Sequence, residues 1–141
     1  MTKRILISTG GSGGHVVPAT ILYDHLKDQF DVSISTDYRG MKFLDKNKYN
    51  LETFNIAPIS KNIFLIPFQL FLIIYTIIKS TIFLKKEKID ILISTGGYMS
   101  IPLCLASKIL KIKIFLFEPN MVLGRSNKFF IKSCEDRKSV V

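Results

Sequence analysis

Cysteine is scarce in this chain: Cys104 and Cys134 are the only two among 141 residues. Neither belongs to a C-x-x-C pair, and His15 and His25 are the only histidines, which argues against a structural zinc site. Two isolated cysteines read as reduced, structural residues rather than as a disulfide framework. Acidic residues are also few, 11 Asp and Glu against 20 Lys and Arg, leaving a formal net charge of +9. No charge-free run reaches the roughly 20 residues needed to cross a bilayer. The apolar segment Ile63 to Ile78 has 16 residues without a charge and contains Pro67. The start, Met1-Thr2-Lys3-Arg4, lacks the apolar core and small-residue cleavage site of a signal peptide and predicts a cytosolic protein.

Apolar material is plentiful at 48% of residues, enough for a core and too much for a disordered tail. Ile5 to Ser8 is a short apolar run ending in Thr9-Gly10-Gly11, which predicts a buried parallel strand feeding a glycine turn. From His15 to about Asp28 the spacing of Val16, Ala19, Leu22, Tyr23 and Leu26 predicts a helix, with Pro18 in its first turn. Further strands are expected at Val32–Thr36, Leu51–Ile56, Ile89–Ser94 and Lys113–Phe117. Helices are expected at Ile101–Leu110 and from Gly124 to Lys132. Strands alternating with helices predict an α/β fold, a doubly wound parallel sheet with right-handed crossovers. Ligands in such sheets bind outside the carboxyl ends of the strands, where both glycine turns fall.

Gly10-Gly11-Ser12-Gly13-Gly14-His15 carries the strongest chemical signal. Four glycines around a serine let the backbone approach a ligand closely, and the helix that follows aims its amides at an anion. The loop lacks the Gly-Lys-Ser/Thr of a P-loop, and Val16 stands where a dinucleotide fingerprint needs its third glycine. The ligand read here is therefore a phosphate or diphosphate without further identity. His15, at the mouth of the loop, is placed to take a proton from an attacking hydroxyl. His25 reads as a surface residue. Gly96-Gly97-Tyr98-Met99-Ser100 is a second glycine turn, with Ser100 able to cap the next helix. Phe117-Glu118-Pro119-Asn120 offers an acid and an amide for sugar hydroxyls.

The apolar segment from Ile63 to Leu84 predicts a helix with a wide apolar face. Gln69, Thr76 and Ser80 form a narrow polar stripe with Lys79 at its edge. Cationic ends at Lys61, Lys79, Lys85, Lys86 and Lys88 favour docking on an anionic membrane surface through Phe64, Leu65, Phe68, Phe71 and Leu72. A buried core helix and a true membrane span are the alternatives. Nucleic acid is not an expected partner, because no basic helix with base-reading residues and no aromatic platform accompanies the lysines.

These motifs, in this order and spacing, resemble the N-terminal domain of the MurG family of UDP-N-acetylglucosamine:lipid I transferases. Gly10-Gly11-Ser12-Gly13-Gly14-His15-Val16-Val17-Pro18-Ala19 is similar to that family's GGTGGH-x-x-P-[AG], with Ser12 for Thr. Gly96-Gly97-Tyr98-Met99-Ser100-Ile101-Pro102 resembles its GGY-x-S-x-P. Phe117-Glu118-Pro119-Asn120 with Gly124-Arg125-Ser126-Asn127 resembles HEQN…G-x-[AST]-N, with Phe117 and Pro119 departing from it.

The resemblance covers residues 3 to 133. It implies the Rossmann-like N-terminal half of a GT-B glycosyltransferase. Such an enzyme moves N-acetylglucosamine, with inversion, from UDP-N-acetylglucosamine to the muramoyl group of an undecaprenyl-diphosphate-linked muramoyl-peptide, lipid I, in peptidoglycan synthesis. It implies Ser12, Gly13, Gly14 and Asn120 as contacts to UDP-N-acetylglucosamine and His15 as general base. Gly10, Gly11, Gly96, Gly97, Tyr98 and Glu118 are implied to face the acceptor diphosphate. No cofactor and no divalent metal are expected, and no D-x-D motif is present.

The same resemblance implies a peripheral location at the cytoplasmic face of the bacterial inner membrane. Residues 1–135 are expected to be the acceptor-side domain, with the donor-binding domain absent. Residues 136–141 match what a common sequencing adapter encodes in one frame and are expected to be a non-native tail. The alternatives are a membrane-associated acceptor-binding subunit of a split GT-B enzyme and a non-catalytic nucleotide- or lipid-binding module.

Overall fold

The computed structural model of the chain describes residues 2–54, 66–118, 128 and 130. Five parallel strands form one sheet: β1 Arg4–Ser8, β2 Asp31–Thr36, β3 Leu51–Thr53, β4 Ile91–Ser94 and β5 Lys113–Leu116, in the order β3-β2-β1-β4-β5. Among the described residues the complete helices are α1 Gly13–Leu26, α2 Ile66–Lys86 and α3 Ser100–Ile109. A 3-10 turn at Gly40–Phe43 follows β2.

The central strand shows why the sheet is covered on both sides. Along β1, Leu6 points into a core with Leu84, Leu92, Leu103, Cys104 and Ile114, on the face covered by α2 and α3. Ile5 and Ile7 point the other way, to Val16, Ala19, Tyr23, Val32 and Ile34 beneath α1. A strand buried on both faces must be apolar at consecutive positions, which is how Ile5-Leu6-Ile7 reads. The chain runs outward from β1 to β3, then returns to the other side of β1 with β4. The carboxyl ends of β1 and β4 are therefore the point where a doubly wound sheet opens a crevice.

Element types match the sequence reading, and several boundaries move. Helix α1 begins at Gly13 rather than His15, so Pro18 lies in its second turn. Strand β4 begins at Ile91, two residues later than expected, and β5 ends at Leu116. β3 is Leu51–Thr53, with residues 55 and 56 outside the described set. Ser100 does not cap α3 with its side chain. Met99 holds the cap position, and the Ser100 hydroxyl donates back to the Gly97 carbonyl at 2.7 Å. Of the helix expected over 124–132, Lys128 and Phe130 are described; both are helical, and Phe130 is buried in the α2/α3 core. Cys104 is buried, while Cys134 lies outside the described residues.

Candidate functional site at the carboxyl edge of the sheet

β1 and β4 run side by side with Ser8 opposite Ser94, so the two glycine turns leave the sheet together. They are fastened by backbone and side chain. The Thr95 amide donates to the Ser8 carbonyl at 2.9 Å. The His15 Nδ1 lies 2.9 Å from the Thr95 carbonyl, and the Thr95 hydroxyl donates to the His15 carbonyl at 3.0 Å. A carbonyl can only accept, so Nδ1 carries the proton in the neutral ring and Nε2 keeps its lone pair. His15 is half-buried and packs its Cδ2 over Gly10, where a Cβ would lie 3.3 Å from it.

Six of the glycines divide into two groups. At Gly97 a Cβ would come within 2.7 Å of the Gly10 Cα, and φ is +86°, a conformation that favours glycine. At Gly11 a Cβ would overlap the Asp37 carboxylate, and at Gly40 the Thr36 side chain. These three positions, like Gly10, are glycine because protein fills the space. Gly13 and Gly14 are different. Among the described residues nothing lies within 4 Å of a Cβ at Gly14, and at Gly13 only the Phe43 ring edge does, at 3.9 Å. Both sit in the first turn of α1, where glycine costs about 1 kcal/mol of helix stability relative to alanine. Their amides lack intrahelical acceptors, whereas those of His15 and Val16 donate to the Ser12 carbonyl at 3.0 and 3.1 Å. Ser12 occupies the N-cap position with extended backbone, yet its exposed hydroxyl makes no capping bond. The residues implied to meet a ligand, Ser12, Gly13, Gly14 and His15, thus share one open corner above β1 and β4. Gly96 is buried and its amide donates to Ser94 Oγ at 3.2 Å.

A third loop meets this corner and was missed in the sequence. At the end of β2, Asp37 is buried beneath Gly11 and accepts from the Arg39 amide at 3.1 Å, the Gly40 amide at 2.9 Å and Arg39 Nε at 2.8 Å. The Arg39 guanidinium lies over the Tyr98 ring, 5.4 Å from its centroid, and donates Nη2 to the Tyr98 hydroxyl. The Asp37 bond raises the Arg39 pKa further, so its charge is fixed. The signal was available in Thr36-Asp37-Tyr38-Arg39-Gly40, a charged pair ending in glycine at a strand's carboxyl end.

Glu118 is half-buried just past β5, one strand further along the same edge. Asn120 lies outside the described residues. His25 is exposed on α1, as expected.

Helix α2 turns its polar stripe inward. Ser80 and Leu84 are buried and Gln69 and Thr76 are half-buried, while Phe68, Leu70, Phe71, Ile74, Tyr75, Ile78 and Ile82 are exposed. The exposed set recurs at three- and four-residue spacing and makes one continuous apolar face. Only 11% of the 19 residues Phe68–Lys86 is buried, and their mean hydropathy is 1.5. That corrects the buried-core alternative: packing on α3 covers the narrow stripe and leaves the wide face open. Lys79, Lys85 and Lys86 are exposed beside it and Leu72 is half-buried, while Phe64, Leu65 and Lys61 lie outside the described residues.

Residues 5–136 match the family described as Glycosyltransferase family 28 N-terminal domain. Over 135 residues the chain is 64% identical to the UDP-N-acetylglucosamine--N-acetylmuramyl-(pentapeptide) pyrophosphoryl-undecaprenol N-acetylglucosamine transferase of Pelagibacter ubique, covering 96% of this chain and 38% of that protein. A protein of the same description from Prochlorococcus marinus is 37% identical over 133 residues, covering 92% of this chain and 36% of its own length. Among solved structures, MurG of Acinetobacter baumannii superposes with a TM-score of 0.80 at 26% identity, over 94% of this chain and 40% of that one. A UDP-GlcNAc 2-epimerase from Methanocaldococcus jannaschii shares the fold, with a TM-score of 0.59 at 18% identity over 80% of this chain and 30% of that one. The chain thus spans well under half the length of the relatives it matches.

Proposed function

Because the chain belongs to glycosyltransferase family 28, as an N-terminal domain, we propose that it is the acceptor-side half of an inverting GT-B N-acetylglucosaminyltransferase. In this reading residues 1–135 form that half. The donor-binding half corresponds to the part of the relatives that the chain does not span. The substrates are UDP-N-acetylglucosamine and a lipid-linked muramoyl diphosphate of the lipid I type, and the product belongs to peptidoglycan synthesis.

The observation that carries this is the pair Gly13 and Gly14. The helix bears the cost of two glycines in its first turn, and among the described residues no atom occupies the space left at Gly14. A ligand that must come within contact of the backbone amides accounts for both, and a phosphate is what such amides bind. Ser12 and Asn120 complete the contacts to the donor, and Gly10, Gly11, Gly96, Gly97, Tyr98 and Glu118 form the acceptor side.

The chemistry assigned to His15 follows from its tautomer. The acceptor's 4-hydroxyl attacks the anomeric carbon of the donor sugar on the face opposite the leaving UDP. The hydroxyl proton passes to His15 Nε2, which is free to accept because Nδ1 is committed to Thr95. The carbon–oxygen bond to UDP breaks as the new glycosidic bond forms, inverting the centre. UDP leaves with the bonding electron pair.

The outward apolar face of α2 and its flanking lysines support peripheral attachment to the cytoplasmic face of the inner membrane. An acceptor anchored in the bilayer requires the enzyme to come to it.

The test is a chimera of this chain with the remaining C-terminal part of the Pelagibacter ubique relative. It should transfer N-acetylglucosamine from the UDP-sugar to a lipid I analogue. A folded chimera that hydrolyses or ignores both substrates would overturn the assignment.

A further inference from the structure

We propose that Arg39 is a diphosphate-binding residue, with Asp37 as its positioning partner and Tyr98 as its support. It would close the open corner of the two glycine loops from the β2 side. This rests on reading that corner as a diphosphate site.

Three observations converge. First, the guanidinium is held on two sides: Nε donates to Asp37 Oδ2 at 2.8 Å, and Nη2 donates to the Tyr98 hydroxyl. Among the described residues Nη1 meets no acceptor, so a pair of donors remains at the free end of a fixed fork. Second, burial separates the two charges. The Asp37 side chain is 3% exposed and that of Arg39 is 42% exposed. An incoming anion therefore meets the cation, while the carboxylate lies beneath it and is shared among three donors. Third, the carboxylate is wedged under Gly11, and Tyr98 follows Gly97 directly. The arginine is thereby indexed to both glycine loops at once.

A surface arginine tying two loops needs neither a buried carboxylate nor three bonds to it. An arginine that must present one edge in a set direction needs both. Side-chain entropy is lost in folding rather than at binding, and the remaining donors suit the oxygens of a diphosphate.

The shared chemistry, a diphosphate, can come from a prenyl-linked acceptor or from a nucleoside. The experiment uses the 141-residue chain with three probes: inorganic pyrophosphate, a short-chain prenyl diphosphate and UDP. Affinities are measured by calorimetry beside thermal melts. Arg39→Gln should weaken pyrophosphate about 10- to 100-fold, as expected for loss of charge-assisted bonds. It should also lower the melting temperature while leaving the chain folded, because the buried Asp37 carboxylate loses its cation and keeps two amide donors. Arg39→Lys should recover only part of that, because the charge returns without the fork. Tyr98→Phe should cost about threefold, a loss near that of one neutral hydrogen bond.

A larger loss for the prenyl probe than for UDP assigns Arg39 to the acceptor; the reverse assigns it to the donor. Equal pyrophosphate affinity for Arg39→Gln and the parent overturns the proposal. If Gly14→Ala then still abolishes binding, the reading of the corner as a diphosphate site survives that failure. If neither variant changes affinity, or the parent binds no diphosphate, both fall.

Discussion

His15 and Thr95 are joined twice, through Nδ1 to the Thr95 carbonyl at 2.9 Å and from the Thr95 hydroxyl to the His15 carbonyl at 3.0 Å. The two bonds cross in opposite directions between loops 80 residues apart. One sets the orientation of the imidazole and the other holds the backbone that carries it. They have separable consequences. In the chimeric enzyme His15→Ala should lower kcat about 10²–10⁴-fold, the usual worth of a positioned base, with little change in donor KM. Thr95→Val keeps the carbonyl and removes the hydroxyl. It should cost about 1 kcal/mol of stability and leave kcat within a few-fold of the parent. Steady-state kinetics beside a melt would check both. An unchanged kcat for His15→Ala would remove it from the mechanism.

The glycines of the first turn of α1 make a sharper test than a loss of function alone. Gly14→Ala introduces a methyl into open space and improves helix propensity by up to about 1 kcal/mol. The variant should melt at or above the parent temperature while losing affinity for pyrophosphate. Gly97→Ala should instead lower the melting temperature, because its methyl would meet the Gly10 backbone. A Gly14→Ala variant that binds as well as the parent would mean that nothing needs that space.

The apolar face of α2 should bind anionic vesicles without crossing them. Phe71→Ser with Ile78→Ser changes two exposed residues, so the melt should stay put while co-sedimentation falls. Each nearby lysine adds about 1 kcal/mol at an anionic surface, so added salt should weaken binding without removing it. Carbonate should release the protein. Retention after carbonate would identify a span, and a parent that never co-sediments would exclude membrane attachment by this face.

Ser80 is buried on α2, and its hydroxyl has no partner among the described residues. Ser80→Ala removes an unsatisfied group at a helical position. It should stabilise the domain by about 1 kcal/mol, read as a higher melting temperature. A drop would show that the hydroxyl is bonded after all.

One contact carries a pH signature. Asp24 accepts from Lys48 Nζ at 2.9 Å and from Lys27 Nζ at 3.3 Å, and the Lys48 bond is the main cause that holds its carboxyl below the usual range. A lowered folded value stabilises the protein above the unfolded pKa, about 3.9, and this is lost as pH falls through the folded value. Asp24→Asn should therefore melt slightly below the parent at pH 7, and the two curves should merge in acid. A constant gap at all pH values would assign the effect to packing.

What the sequence revealed and what it hid differ by physical cause. The strands at Ile5-Leu6-Ile7 and Ile91-Leu92-Ile93 were legible because a doubly covered strand must be apolar throughout, and each runs into glycines. The site corner was legible for the same reason: Gly13 and Gly14 are more glycine than a turn needs. Asp37 and Arg39 were not, because a charged pair in a short polar loop looks like surface until the fold puts Gly11 on top of the carboxylate. The orientation of α2 was also hidden. Its composition shows a polar stripe but not which side packs. Here α3 takes the stripe and the apolar majority is left outside.

The contact between Gly10 and Gly97 also says where motion in this domain cannot begin. With the α-carbon of one loop against the other, β1 cannot slide past β4 without driving backbone into backbone. The floor of the crevice is a joint without play. Opening and shutting of the site would therefore come from whatever approaches this floor from outside. Those movements would be registered against a fixed reference surface, so the distance from His15 to an incoming ligand would be set by the moving partner alone.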